Sequence, residues 1–185
     1  MWHRFFGNVS GQLILGHNET PPYVYNWTGT GFNVYFADYD SAIDWFQLQA
    51  IGRTTANATS SDDFTELDTA FNTTSFGDNI NKTYSTDGSS PIETDNYTVF
   101  LRPVNFVPVA NSTAFNTTFN TGILWDMADG GTEYSNSFNQ STVWVVKVNS
   151  TADVYGTYDY LIQIPYTLAT YEGNNSLVSV YLELK

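Results

Sequence analysis

Residues 96–110 read NYTVFLRPVNFVPVA. Tyr97, Thr98, Val99, Phe100, Val104, Phe106, Val107 and Val109 make this a stretch of β-branched and aromatic side chains, the types that fit a pleated, half-buried surface. Pro103 and Pro108 cannot donate to a ladder, which points to an edge position or a bulge. A strand reading here sets the expectation for the rest of the chain, because similar runs recur between turn signals. Gly11–Leu15 is a short apolar run that ends at Gly16. Tyr23–Trp27 and Phe32–Phe36 flank Thr28-Gly-Thr-Gly31 and read as a hairpin. Thr121–Trp125, Thr142–Val148, Thr157–Thr170 and Leu177–Leu184 complete the set. In the last run Val178, Val180 and Leu182 share one face, and Leu177, Ser179, Tyr181 and Glu183 the other. The first face is expected to be core and the second mixed.

Two segments depart from this pattern. Ser61–Phe71 carries acids in its first turn and places Phe64, Leu67 and Phe71 at i, i+3 and i+7, an amphipathic helix capped by Ser61 or Asp62. Ala42–Ile51 alternates Phe46, Leu48 and Ala50 with glutamines and leans to strand, with a helix capped by Ser41 as the alternative. Residues 72–95 are polar and read as a long surface excursion. The expectation is one domain over residues 1–185, all-β, an immunoglobulin-like or jelly-roll-type β-sandwich with a short helical insertion.

Composition narrows function. Six Lys and Arg stand against 19 Asp and Glu, a net charge of −13. The basic residues are scattered, so no nucleic-acid surface and no attraction to anionic membranes is expected. Charged residues are 14% of the chain, and its polar surface must come from Asn, Thr, Ser, Gln and Tyr. Cysteine is absent, which removes thiol catalysis, thiolate metal sites and disulfides. No run of 18 apolar residues occurs, and MWHRFFGNVSG lacks the apolar core of a signal peptide, so membrane attachment is expected only through an anchor outside this sequence.

The pattern Asn-x-Ser/Thr begins at Asn8, Asn18, Asn26, Asn57, Asn72, Asn81, Asn96, Asn111, Asn116, Asn139, Asn149 and Asn174, twelve of the 18 asparagines. Ser and Thr fill 39 of 185 positions, so chance arrangement gives about four such sequons. The excess points to a glycosylated, extracellular chain, since an acceptor asparagine must be reachable. Asn111–Asn120, NSTAFNTTFN, reads as a surface loop with two glycans, Phe115 and Phe119 serving as anchors or contact surface.

Catalytic groups are sparse. His3 and His17 are the only histidines, too few for a nucleophilic triad or a histidine metal site. Carboxylates cluster at Asp38, Asp40 and Asp44; at Asp62, Asp63, Glu66 and Asp68; and at Asp126, Asp129 and Glu133. The first cluster is the best candidate for Ca²⁺, which takes six to eight oxygens. Paired acids also admit a hydrolase as a third reading. Trp27, Trp45, Trp125 and Trp144 are expected in the core. Tyr155, Tyr158, Tyr160, Tyr166 and Tyr171 fall at mixed parity and leave rings for sugars or partners.

Trp125, Asp126, Asp129, Gly130 and then Gly156, Thr157 and Tyr158 resemble the Trp-Asp-x-x-Asp-Gly turn and Gly-Thr-Tyr strand entry of polycystic-kidney-disease (PKD) immunoglobulin-like domains, although Ala128 stands where that family usually has glycine. The resemblance implies that Trp125 plugs the core, Asp-Gly makes a tight turn and Tyr158 packs at a strand corner. In composition the chain resembles archaeal cell-surface and secreted β-sandwich proteins. That implies a non-catalytic envelope domain serving surface structure, adhesion or assembly, whose partners are other envelope proteins, glycans or copies of itself. The runner-up is a carbohydrate-binding module, calcium-dependent or not.

Overall fold

The computed structural model describes residues 2–9, 12–16, 23–28, 31–37, 43–55, 58–59, 63–88, 90–114, 117–129, 134, 140–149, 151–153, 156–165 and 179–184. In chain order the strands are β1 (Trp2–Gly7), β2 (Gln12–Gly16), β3 (Tyr23–Thr28), β4 (Gly31–Ala37), β5 (Leu48–Ala50), β6 (Arg53–Thr55) and β7 (Ala58–Thr59). Helices α1 (Asp63–Ala70) and α2 (Ile80–Tyr84) follow. The chain then forms β8 (Thr94–Val99), β9 (Arg102–Ala114), β10 (Thr117–Asp126), β11 (Thr142–Lys147), β12 (Thr151–Asp153), β13 (Gly156–Tyr158), β14 (Tyr160–Pro165) and β15 (Ser179–Leu184).

The principal sheet has seven antiparallel strands in the order β15-β4-β11-β10-β9-β8, with β5 pairing the far end of β10 beside β9. Strand β11 sits at its centre, and its period of two sorts the core. Trp144 and Val146 point to one face with Val34, Phe36, Ile123 and Trp125. Val143 and Val145 point to the other with Tyr35, Ala37 and Leu124. A strand apolar on both faces needs a cover on both sides.

On the first face that cover is the β1–β14 pair together with the helices. Leu161, Ile162 and Ile164 of β14, Phe64, Leu67 and Phe71 of the α1 region, and Ile80 and Tyr84 of α2 fill one core. Phe71 meets the Trp144 ring edge-on at 5.3 Å. One polar staple crosses between the layers: Gln163 N–H donates to Thr121 Oγ1 at 3.1 Å, and Ser112 Oγ donates to Gln163 Oε1 at 2.7 Å. The layering is that of an all-β sandwich with a short helical insertion, and Trp125 and Trp144 are both fully buried.

The second face is closed by the sheet itself. The β8–β9 hairpin bends at an irregularity between the pairs Asp95–Val107 and Tyr97–Val104, where Phe106 takes φ +58°. The bend brings Tyr97, Val99, Val104 and Val107 onto the face of β10 and β11. Gly122 permits this approach: a Cβ there would lie 2.8 Å from Val107 and 3.0 Å from both Tyr97 and Val145. The bulge expected from the prolines is present, but the edge strand is β8, and proline-bearing β9 lies one place inside it.

Several expectations need correction. β3 pairs with β2, so residues 23–36 are not a hairpin. Both edges of β4 are taken by β11 and β15, which leaves none for β3. The polar stretch 72–95 is not a surface excursion throughout, because α2 within it buries Ile80 and Tyr84 completely. Its start is fixed by Asp68 of α1, whose Oδ1 accepts from Ile80 N–H at 2.7 Å and whose Oδ2 accepts from Asn81 N–H at 3.0 Å. Helix α1 forms with Phe64, Leu67 and Phe71 inward as expected; the cap candidates Ser61 and Asp62 lie outside the described residues. Within the described part of that segment, 43–51, only Leu48–Ala50 is strand, preceded by a turn in which Gln47 N–H reaches the Asp44 carbonyl at 2.8 Å. NSTAFNTTFN is a hairpin, not a loop. Asn111 pairs with Asn120 across β9 and β10, and Phe119 is buried in the first core.

Candidate functional site

The faces of β15 are inverted relative to expectation. Val180 and Leu182 are 56% and 40% exposed, whereas Glu183 is only 6% exposed. A buried carboxylate is tolerated when its lone pairs are met by donors. Tyr35 Oη donates to Glu183 Oε2, and Asn33 Nδ2 donates to the same oxygen at 2.9 Å. Phe100 N–H donates to Oε1 at 2.8 Å. Asn33 also reaches the Thr98 carbonyl at 2.8 Å. Burial, and then the hydrogen bond and charge of Glu183, push the Tyr35 phenol well above its ordinary range. These contacts tie the β8–β9 turn, at one end of the seven-stranded sheet, to β4 and β15 at the other. The cluster is a latch that closes the curl over the second core.

Above the latch sit four rings. Trp45 meets Tyr35 at 5.0 Å and 64°, Tyr181 at 4.9 Å and 72°, and Phe100 at 5.3 Å and 58°. Trp45 is half-buried rather than a core residue. Tyr35 and Phe100 lie near-parallel at 6.4 Å and 10°, with Trp45 tilted against both, so the rings form a packed cluster rather than a flat exposed row. The turn beneath is strained. Phe100 and Leu101 take φ +45° and +68°, conformations that a two-residue hairpin turn normally gives to Asn-Gly. Phe100 is held by the rings and by Glu183, while Leu101 is 94% exposed. Sequence reasoning did not single out Asn33, Glu183 or this turn. The signal was a lone acid in an otherwise apolar strand end, Leu-Val-Ser-Val-Tyr-Leu-Glu-Leu.

Of the calcium candidates, Asp38 and Asp40 lie outside the described residues. The Asp44 carboxylate accepts from Phe46 N–H at 3.0 Å and Gln47 Nε2 at 3.1 Å, a local turn. Asp126 is fully buried and accepts from Asp44 N–H at 2.6 Å and Ala128 N–H at 2.8 Å. Burial pushes its carboxyl up; the two N–H groups oppose the shift, and the nearby Asp129 and Asp44 add to it. Asp129 accepts from Ser141 N–H at 2.7 Å. Asp63 accepts from Gly52 N–H at 2.7 Å. Among the described residues no group of three or more His, Cys, Asp or Glu side chains is arranged to hold a metal ion. Asp62, Glu133, Gly130 and His17 lie outside them, and His3 is exposed on β1. Trp125 plugs the core beside Tyr134 at 6.3 Å, Met127–Asp129 form a short 3-10 turn, and Tyr158 packs half-buried on Phe6 at 4.6 Å.

The asparagines divide by motif. Of the sequon residues whose surroundings are described, Asn8, Asn72, Asn96, Asn111 and Asn149 are exposed and Asn81 is half-buried. Of the others, Asn33 and Asn79 are buried, Asn120 is half-buried and Asn105 is exposed. The buried pair have structural work: Asn33 in the latch, and Asn79 as N-cap of α2 through Lys82 N–H at 2.9 Å. Asn18, Asn57, Asn116, Asn139 and Asn174 lie outside the described residues, as does the side chain of Asn26. So do Phe115, Tyr155, Tyr166 and Tyr171, and the side chain of Trp27. No protein-family model matches this chain, and no curated protein or solved structure is significantly similar to it.

Proposed function

We propose that this chain is a non-catalytic extracellular domain of a microbial, archaeal-type envelope protein, serving surface structure, adhesion or assembly. One observation carries the reading: among the described residues, each sequon asparagine with described surroundings reaches solvent at least in part, while the two asparagines that are buried, Asn33 and Asn79, lie outside sequons. Turn-forming richness in Asn, Ser and Thr would produce no such division. Selection for attached glycans would, since a glycan cannot sit in a packed interior. The sparse lysine and the net charge of −13 fit a solvated exterior, and the absence of cysteine fits a microbial rather than an animal or plant one. Asp44, Asp63, Asp68, Asp126, Asp129 and Glu183 each accept from at least one backbone N–H, which favours a structural use over a hydrolytic one.

Protease treatment of intact cells of the source organism tests location. The expected result is loss of the protein from whole cells while cytoplasmic markers survive. Survival of the protein until lysis would contradict the reading.

A further inference from the structure

Strand β8 meets β9 through a bulge in which one residue, Asn96, faces two, Asn105 and Phe106. A bulge takes a backbone N–H out of the regular ladder, and that donor needs another acceptor. Here the donor is Phe106 N–H and the acceptor is a side chain, Asn96 Oδ1 at 3.0 Å. The backbone N–H of Asn96 is engaged as well, by the Asp95 carboxylate at 2.7 Å. The Asn96 amide is thus held by its oxygen. Its nitrogen, the atom a glycan would use, donates to no group among the described residues. Asn96 is exposed and opens the sequon Asn96-Tyr97-Thr98. Other sequon amides are arranged differently: Asn111 donates Nδ2 to Glu93, and Asn81 is half-buried in α2.

Phe106 is the odd member of the bulge. It takes φ +58°, a backbone that glycine or asparagine adopts far more readily than an aromatic residue. Its side chain is 43% exposed, and it belongs to neither buried core. Strain kept at an exposed ring points to a use for that ring.

Amide chemistry joins the two residues. A glycosylated asparagine carries a secondary amide, and secondary amides hold the nitrogen's substituent trans to the carbon chain, on the side of the carbonyl oxygen. At Asn96 that oxygen is bonded to Phe106 N–H, so the first sugar is directed toward Phe106 and not away from it. One face of a hexopyranose is lined by C–H groups, which pack on an aromatic face and exclude water.

We propose that the first sugar of a glycan on Asn96 packs against the Phe106 ring. The modified asparagine then clasps the β8–β9 bulge at two points, the hydrogen bond and the sugar. The clasp sits on the bend that folds Tyr97, Val99, Val104 and Val107 over the second core. The inference rests on the exterior reading, since it needs an occupied sequon, but occupancy and packing have separate readouts.

Glycopeptide mass of the protein from its source organism reads occupancy at Asn96, and hydrogen exchange over residues 96–107 reads the clasp. Thr98→Val removes the sequon while keeping the Asn96 amide and a β-branched strand residue. Made in the source organism, this variant should exchange at least about threefold faster than wild type over that segment. Made without glycans in a bacterial host, the two should exchange alike. Phe106→Asn removes the ring and suits the left-handed backbone, and in that background Thr98→Val should change nothing further. An unmodified Asn96 in a chain with other sequons occupied overturns the clasp and leaves the exterior reading standing; a chain bare at every sequon overturns both. An occupied Asn96 whose loss leaves exchange unchanged, or speeds it equally with Phe106→Asn, overturns the clasp alone.

Discussion

The two faces of the seven-stranded sheet are closed in different ways. The first is covered by separate elements, β14 with β1 and the two helices, and nearly everything they bring is apolar. The second is covered by the sheet's own end, folded over at the Phe106 bulge and fastened by Glu183, Asn33 and Tyr35. On the first face the stabilisation is spread over many side chains and follows buried area. On the second it depends on a glycine-sized gap and on one carboxylate, so small chemical changes there should have large local effects.

The largest loss should come from the first face. Trp144→Ala removes a fully buried ring and should cost about 3–5 kcal/mol in urea unfolding, through lost transfer energy and the cavity left behind. Glu183→Ala should follow at about 3 kcal/mol, because Tyr35 Oη, Asn33 Nδ2 and Phe100 N–H lose their acceptor in a buried place. Its loss should be accompanied by faster hydrogen exchange confined to β8 and the Phe100 turn, a pattern Trp144→Ala should not give. Uniform exchange in both variants would erase the distinction between the faces. Gly122→Ala should cost about 1–3 kcal/mol by overpacking against Val107, Tyr97 and Val145. Leu101→Gly should act in the opposite direction, raising stability by about 0.5–1 kcal/mol through relief of the left-handed backbone at an exposed position. A destabilised Leu101→Gly would mean that the Leu101 side chain stabilises the fold.

The first face was the legible one. The β-branched and aromatic run 142–148 and the i, i+3, i+7 spacing of Phe64, Leu67 and Phe71 point to β11 and α1 because both signals are local. The second face was not legible, since its parts are far apart in sequence and individually uninformative. Phe100-Leu101 has no turn chemistry, so residues 96–110 read as one strand rather than a hairpin. Glu183 in β15 looked like the solvent-facing member of an alternating strand. Its burial depends on an asparagine 150 residues away. The β3–β4 hairpin was misread for a related reason: a Thr-Gly-Thr-Gly turn is a local signal, but β4 is claimed by two long-range partners. The sequons lay between these cases. Their number was visible in the chain, whereas their exposure required the fold.

Whether those sequons are used decides the account most directly. Intact-mass and glycopeptide analysis of the protein purified from its source organism reads occupancy site by site. The expected result is a mass well above the polypeptide's 20.7 kDa, with glycans on exposed sites such as Asn72, Asn96, Asn111 and Asn149. A mass equal to the bare chain, with every sequon asparagine unmodified, would contradict the exterior assignment.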